Sequence, residues 1–245
     1  MKNHIWIWVS LLMVISPLQA KENLILNTTL GGYPPFFIHQ GADNSGIIFD
    51  VMNYISQRHN LTLRTVELPK KRVTKHMDAG FTDVTATAKE WSKNPDKYIF
   101  SDPILEMKEV LFYTKKQSMN FGNTGDLIGK TLAIHLGYKY PMYTEQFNSG
   151  QIKTIVETSE LKMLKSTLYK RADAAVINET VANWIIKNEP SLQNIFSSKT
   201  QKVGSFDYRM MFTKKWVTFV GVFNQELALM KKNGELQKIF DKYKE

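Results

Sequence analysis

The chain has 245 residues, a formal net charge of +9 and no cysteine. The absence of cysteine excludes disulfides, thiol catalysis, cysteine-rich metal sites and a lipid-bearing N-terminal cysteine. Lysine and arginine are spread along the whole chain, and their densest cluster, Lys70, Lys71 and Arg72, is short. Because no zinc-finger spacing or RNA-binding signature accompanies them, the positive charge indicates a solvated surface and no nucleic-acid partner.

The first twenty residues have the three-part layout of a secretory signal peptide. Lys2 supplies the positive start, an apolar run follows from Ile5 to Ile15, and the segment ends at Ala20 after Pro17. The alternative is an uncleaved anchor, but the apolar run is well short of the ~20 residues that a membrane-spanning helix needs. We therefore predict that residues 1–20 are cleaved and that the product is soluble in a bacterial periplasm.

Strand and helix patterns alternate along the first part of the remaining chain. Val51 and Met52 belong to a set of apolar residues at helical spacing, and Gly80 stops a second, shorter helix. In chain order we predict a strand at 24–28, a turn at 31–35, a helix at 47–59, a strand at 61–66, a short helix around 73–77 and a strand at 83–87. A β-α-β-α-β order of this kind indicates an α/β sheet.

The second part of the chain repeats the alternation. We predict strands at 110–113, 130–134, 174–177 and 208–212, helices around 161–168 and 181–185, and two terminal helices at 219–230 and 236–243. Two α/β runs joined by short strands suggest two lobes, but the pattern alone does not show which strands cross between them.

Six segments in order resemble the family 3 extracellular solute-binding proteins. They are Tyr33-Pro34-Pro35-Phe36 with Gly46 and Asp50; Pro69 and Arg72 followed by Met77, Gly80 and Asp83; Phe100-Ser101-Asp102-Pro103; Leu127, Gly129 and Lys130 before Gly137; Arg171-Ala172-Asp173-Ala174-Ala175-Val176; and Phe223-Asn224 through Gly234-Glu235-Leu236 to Tyr243. Together they cover nearly all of the chain after residue 20. The best-known members of this family deliver polar amino acids to ABC importers.

The resemblance implies a two-lobed, type II periplasmic-binding-protein-like α/β fold. Lobe 1 would comprise residues 21–109 plus 208–245, and lobe 2 would comprise residues 110–207. Strands near 110–113 and 208–212 would form the hinge. A small ligand would bind in the cleft between the lobes and favour the closed state.

Two positions depart from the family pattern for amino-acid ligands. The arginine that usually grips the ligand carboxylate is absent, because the stretch reads Thr87-Ala88-Lys89-Glu90. The aspartate that often holds the ligand ammonium is replaced by Asn178, whose amide carries no charge. An ordinary zwitterionic amino acid is therefore a doubtful ligand.

The resemblance implies a basic and aromatic cleft, which predicts an anionic or hydrogen-bond-rich ligand. The candidate binding residues are Tyr33, Phe36, Lys70, Arg72, Thr85, Thr87, Gly137, Tyr138, Lys139 and Asn178. Tyr33 and Phe36 would form an apolar wall. Three alternatives stay open: the lysines face solvent, the two threonines only fill strand positions, and Trp91 either stacks on a ligand or packs.

We expect a binding protein with no catalytic residue, no metal and no cofactor, and a monomer whose partner is a membrane permease or a sensor. The histidines show no metal-ligand spacing, and no nucleophile motif is present. One alternative is a ligand-sensing protein that reports to a membrane receptor. The other is a dehydratase-like enzyme, in which Glu90 and a cleft lysine would transfer protons.

Overall fold

The computed structural model describes residues 21–40, 43–117 and 121–244. The predicted signal peptide lies outside the described residues. The strands are β1 (Glu22–Thr29), β2 (Ile38–Gln40), β3 (Asp43–Ser45), β4 (Leu61–Leu68), β5 (Val84–Ala88), β6 (Ile99–Phe100), β7 (Leu105–Thr114), β8 (Thr131–His135), β9 (Lys153–Glu157), β10 (Ala174–Asn178) and β11 (Phe196–Phe212). The α-helices are α1 (Ile47–Arg58), α2 (Val73–Asp78), α3 (Thr144–Asn148), α4 (Glu160–Leu168), α5 (Glu179–Asn188), α6 (Val217–Asn233) and α7 (Glu235–Lys242).

One sheet runs through the molecule in the order β4-β1-β5-β11-β7-β10-β8-β9. At one end β1 pairs in parallel with β4 and β5, and at the other β8 pairs in parallel with β9 and β10. The two parallel ends are joined by the long strands β7 and β11, which pair antiparallel with each other. The register of β7 against β11 shifts between Lys199 and Gly204. The sheet therefore has two α/β halves with two connecting strands between them.

The hydrophobic core is divided in the same way. In the first half, the buried face of α1, which includes Val51 and Met52, packs with α6 and α7 against β1 and β5. In the second half, α4 and α5 pack on one side of β8 and β10, and Phe121 and Tyr143 pack on the other. Because α6 and α7 close the core of the first half, the end of the chain returns to the half in which the described residues begin.

The fold class predicted from the sequence is confirmed. Most predicted elements occur, but the two connecting strands are longer than predicted, at ten and seventeen residues. The sequence patterns do not predict the strands β2, β3, β6 and β9 or the helix α3. Within the described residues, no helix is both long and apolar enough to cross a membrane.

Candidate ligand-binding cleft

A cavity of about 620 Å³ opens where the first half of the molecule faces the second. It lies at the carboxyl ends of the parallel strands β1, β4 and β5, which is the usual position of ligand sites in open α/β sheets. Tyr138, from the loop after β8, closes the cavity from the second half. Its lining includes Asn27, Tyr33, Lys70, Lys71, Thr85, Thr87, Trp91, Lys93, Tyr138 and Tyr208.

Two smaller cavities, of about 20 and 80 Å³, continue between the two halves. Glu109, Trp91 and Tyr138 line both of them. The smaller cavity also touches Glu160 and Asn178, and the larger touches Gly137 and Lys139. The cleft between the halves is thus nearly closed, and most of the open volume lies on the first half.

The Lys70 ammonium lies between aromatic rings from the two halves. Its Nζ atom is 4.8 Å from the Trp91 ring centroid and 4.5 Å from the Tyr138 ring centroid. Although Lys70 as a residue is exposed, desolvation of the ammonium lowers its pKa, and attraction to Glu109 and Glu160 partly offsets that effect. Both distances are within the range of a cation–π interaction, so Lys70 joins the two walls of the cleft.

Glu109 supplies a carboxylate that the sequence analysis did not select. Its position on β7, at the connection between the halves, removes it from water and raises its pKa to about 7, while the Lys70 ammonium acts in the opposite direction. A carboxyl group with this pKa exchanges its proton near neutral pH.

A second carboxylate, Glu160, is held at the first turn of α4. Its Oε1 atom accepts a hydrogen bond of 3.1 Å from the Tyr138 hydroxyl and lies 4.0 Å from His135 Nε2. The His135 and Tyr138 rings stack with their centroids 4.0 Å apart. Desolvation raises the pKa of Tyr138, so the hydroxyl stays protonated and donates. These contacts fix the orientation of the Tyr138 ring that faces Lys70.

Polar groups from β1 and β5 form the floor of the large cavity. Asn27 Nδ2 donates to Thr85 Oγ1 at 2.9 Å, and both side chains are buried. The other amide atom, Asn27 Oδ1, is buried with no hydrogen-bond partner among the described residues. Thr87, two residues further along β5, lines the same floor. A buried acceptor without a donor costs stability.

Two predicted site residues lie elsewhere. Phe36 is fully buried in the core of the first half, with its ring centroid 5.5 Å from those of Tyr33 and Tyr208, so it supports the cavity wall from behind. Arg72 is exposed and lines none of the three cavities. Lys70, Lys71 and Arg72 occupy a 3-10 turn, which spreads successive side chains around its axis, and only the two lysines face the cavity.

Asn178 faces the cleft but is engaged by the protein. Its Oδ1 atom accepts from the Val181 backbone at 3.1 Å and caps α5, and its Nδ2 atom donates to the Lys108 carbonyl at 3.3 Å. The amide therefore has a structural role whether or not it also touches a ligand. Glu90, the predicted acid–base residue of the enzyme alternative, is exposed and lines none of the cavities.

The described residues contain no group of three histidine, aspartate or glutamate side chains that could hold a metal ion. The cleft presents aromatic faces, ammonium groups, hydroxyls and the carboxylates of Glu109 and Glu160. Such a site between two α/β halves, joined by two crossing strands, is typical of two-lobed solute-binding proteins.

Residues 25–245 match the family model of bacterial extracellular solute-binding proteins, family 3, and the chain belongs to this family. No curated protein matches the chain. Similar solved structures confirm the fold. An arginine third transport system periplasmic binding protein from Legionella pneumophila has a TM-score of 0.71 and 20% identity, with 91% of this chain and 100% of that chain covered.

Two further similar structures show how varied the proteins with this fold are. A histidine kinase sensor domain has a TM-score of 0.75 and 18% identity, covering 91% of this chain and 96% of that chain. An ancestral amino acid-binding protein, described as a precursor of cyclohexadienyl dehydratase, has a TM-score of 0.73 and 18% identity. The match covers 91% of this chain and 95% of that chain. At these identities the likeness concerns the fold.

Proposed function

We propose that this protein is a periplasmic solute receptor that captures a small, polar, anionic ligand in the cleft and delivers it to an ABC-type importer. The two halves act as lobes, residues 21–109 with 208–245 and residues 110–207, and close on the ligand. The signal-peptide pattern of residues 1–20 and the family membership support export. The proposed working unit is a monomer.

The charge of the large cavity carries the proposal. Lys70, Lys71, Lys93 and Lys97 line it, against the single carboxylate of Asp78. Lys97 is paired with Asp78 at 2.7 Å, and Lys70 is engaged with the aromatic rings. The described residues place no carboxylate within ion-pair distance of Lys71 or Lys93. A ligand carboxylate or phosphate would form ion pairs with these two ammonium groups.

The floor of the cavity favours a ligand that also carries hydroxyl or amino hydrogens. Asn27 Oδ1 has no donor among the described residues, and the Thr87 hydroxyl makes only a 3.3 Å bond to the neighbouring carbonyl of Ala88. A ligand hydroxyl that donates to the Thr87 hydroxyl oxygen would add specificity.

A thermal-shift screen of the purified protein against organic acids, phosphorylated compounds, amino acids, sugars and short peptides tests the proposal. A ligand at a hundredfold its Kd adds about 2.7 kcal/mol of stability. We expect anionic compounds to give the largest shifts. The double variant Lys71→Met/Lys93→Met should weaken their binding at least tenfold, and Lys75→Met/Lys187→Met, two exposed lysines outside the cavities, should not. An unchanged affinity in the first variant would contradict the proposal.

One observation favours the enzyme alternative, because the pKa of Glu109 is about 7 and the group lines the cleft. A carboxyl group of this kind suits general acid–base chemistry. Incubating the protein with the best ligand of the screen, followed by mass spectrometry, separates the two functions. A receptor returns the ligand unchanged, whereas a dehydratase-like enzyme returns a product lighter by one water. The sensing alternative differs from transport only in the membrane partner. Co-purification from membranes distinguishes the two, because a transport protein should copurify with a permease and a sensing protein with a receptor.

A further inference from the structure

The groups around the Lys70 ammonium form a site that would suit a free organic cation. Trp91 and Tyr138 present ring faces from the two halves, within 5 Å of one nitrogen atom. The carboxylates of Glu109 and Glu160 both attract that nitrogen, and the Lys139 ammonium repels it. Rings and carboxylates on opposite walls of a pocket are the features by which proteins bind ammonium and guanidinium groups.

In this protein the site is filled by its own side chain. Lys70 belongs to the first half, and Tyr138, which it contacts, belongs to the second half. The ammonium is held by the short turn Lys70–Arg72, so it reaches the site without the entropy loss that a free cation pays on binding. A ligand amine must displace this tethered group before it can occupy the same position.

We propose that Lys70 is a specificity-determining residue, a tethered cation that occupies the ammonium subsite of the cleft and so excludes ligands with a positive group there. The inference rests on the proposed function, since it assumes that the cleft is where ligand binds. It also reduces the conflict between an anionic ligand and the carboxylates of the cleft, because Lys70 offsets part of their negative charge and the cavity lysines remain for the ligand.

Removing the tethered cation should therefore create a binding site for an untethered one. Lys70→Ala deletes the equivalent of n-propylammonium, and that compound is the probe. We expect Lys70→Ala to bind n-propylammonium at least tenfold more tightly than the wild-type protein in calorimetric titration at constant ionic strength. Neither n-propanol, which has the same shape without the charge, nor sodium chloride should show this gain.

Two matched variants isolate the cause. Lys70→Met removes the charge but leaves an apolar chain in the site, so it should gain no affinity for n-propylammonium. Lys75→Ala removes an exposed lysine of α2 that lines none of the cavities and should behave as the wild type. If Lys70→Ala binds the probe no better than the wild type does, or if Lys75→Ala gains as much, the inference is wrong.

A measurement on the wild-type protein covers the case in which Lys70→Ala does not fold. Ring currents from Trp91 and Tyr138 should shift the ε-methylene resonance of Lys70 upfield in the NMR spectrum of protein labelled with ¹³C-lysine. Tyr138→Leu should move that resonance at least partly back. Because Lys215 and Lys242 also lie over aromatic rings, the response to Tyr138→Leu identifies the Lys70 resonance, and a spectrum in which no shifted lysine ε-methylene responds to Tyr138→Leu would overturn the inference.

Failure of this inference is distinct from failure of the proposed function. If an anionic ligand binds the wild type but Lys70→Ala gains no affinity for n-propylammonium, only the proposed role of Lys70 is wrong. If Lys70→Ala gains affinity for n-propylammonium but the screen finds no anionic ligand, the ammonium subsite is supported and the proposed ligand class is wrong.

Discussion

Glu109 is a charged residue beside core residues of the connecting strand β7. On β7 its neighbours Val110 and Leu111 are buried core residues, and Glu109 itself is half-buried at the cleft. Burial raises its pKa from the ordinary 4.5 to about 7. The folded protein therefore binds this proton more tightly than the unfolded chain does.

The raised pKa predicts a pH effect on stability. The contribution of Glu109 is fully present below pH 4.5 and is lost as the pH rises through 7. Its effect on the free energy of unfolding is at most about 1.4 kcal/mol per pH unit between these values. Glu109→Gln should remove this slope, whereas Glu145→Gln, an exposed carboxyl group on α3, should not. Urea unfolding from pH 4.5 to 8 checks this, and equal slopes in wild type and Glu109→Gln would contradict it.

The structural role of Asn178 can be tested without a ligand. Asn178→Ala removes the N-cap of α5 and the hydrogen bond to the Lys108 carbonyl, so we expect a loss of about 1–2 kcal/mol in the free energy of unfolding. Asn188→Ala, at the exposed end of the same helix, should change it by less than about 0.5 kcal/mol. Denaturant titration of both variants measures the difference, and equal losses would show that the cap is not important.

The sequence was informative about site residues where a motif fixes their place in the fold. Tyr33, Lys70, Thr85, Thr87 and Tyr138 all line the large cavity. Phe36 lies in the core behind the cavity wall, and the sequence does not separate these two positions because an aromatic residue near a turn fits either. Glu109, Glu160 and Tyr208 were missed because each looks ordinary in its segment, and only the packing of the two halves brings them to the cleft.

At the scale of elements, Gly46 determines how α1 begins. Its φ is 117°, and a Cβ atom there would overlap the backbone of Phe36. Gly46→Ala should therefore lower the free energy of unfolding by more than about 2 kcal/mol, from backbone strain and the clash. Gly221, inside α6, has open space around it, and Gly221→Ala should raise stability by about 0.5–1 kcal/mol. We expect the two variants to change the melting temperature in opposite directions, and an equal loss of stability in both would contradict this account.

The elements that sequence patterns identified poorly share a physical cause. Strand β9 is at the edge of the sheet, with β8 as its neighbour among the described residues, and most of its residues are exposed, so no apolar alternation appears. Strands β7 and β11 lie in the middle of the sheet, but polar residues in their sequences interrupt the apolar pattern and obscure their length. Their pairing with each other is a long-range contact that no local pattern encodes.

At the scale of the whole molecule, the two halves contact each other at more than the cleft. Trp184 on α5 packs against Tyr243 after α7, with ring centroids 6.2 Å apart, and Val181 joins the core of the first half. The connecting strands and these contacts limit how the halves can move. We therefore expect closure to be a hinge motion at β7 and β11.

The sign of the ligand charge is the central claim, and one titration series tests it most directly. Succinate, 4-aminobutyrate and putrescine share a four-carbon chain and differ in the charge at each end, so calorimetric titration of the purified protein with all three isolates charge. The account predicts that succinate binds most tightly, that putrescine binds at least tenfold more weakly, and that added salt weakens succinate binding. Tightest binding of putrescine would contradict it, because the carboxylates of the cleft would then outweigh its lysines.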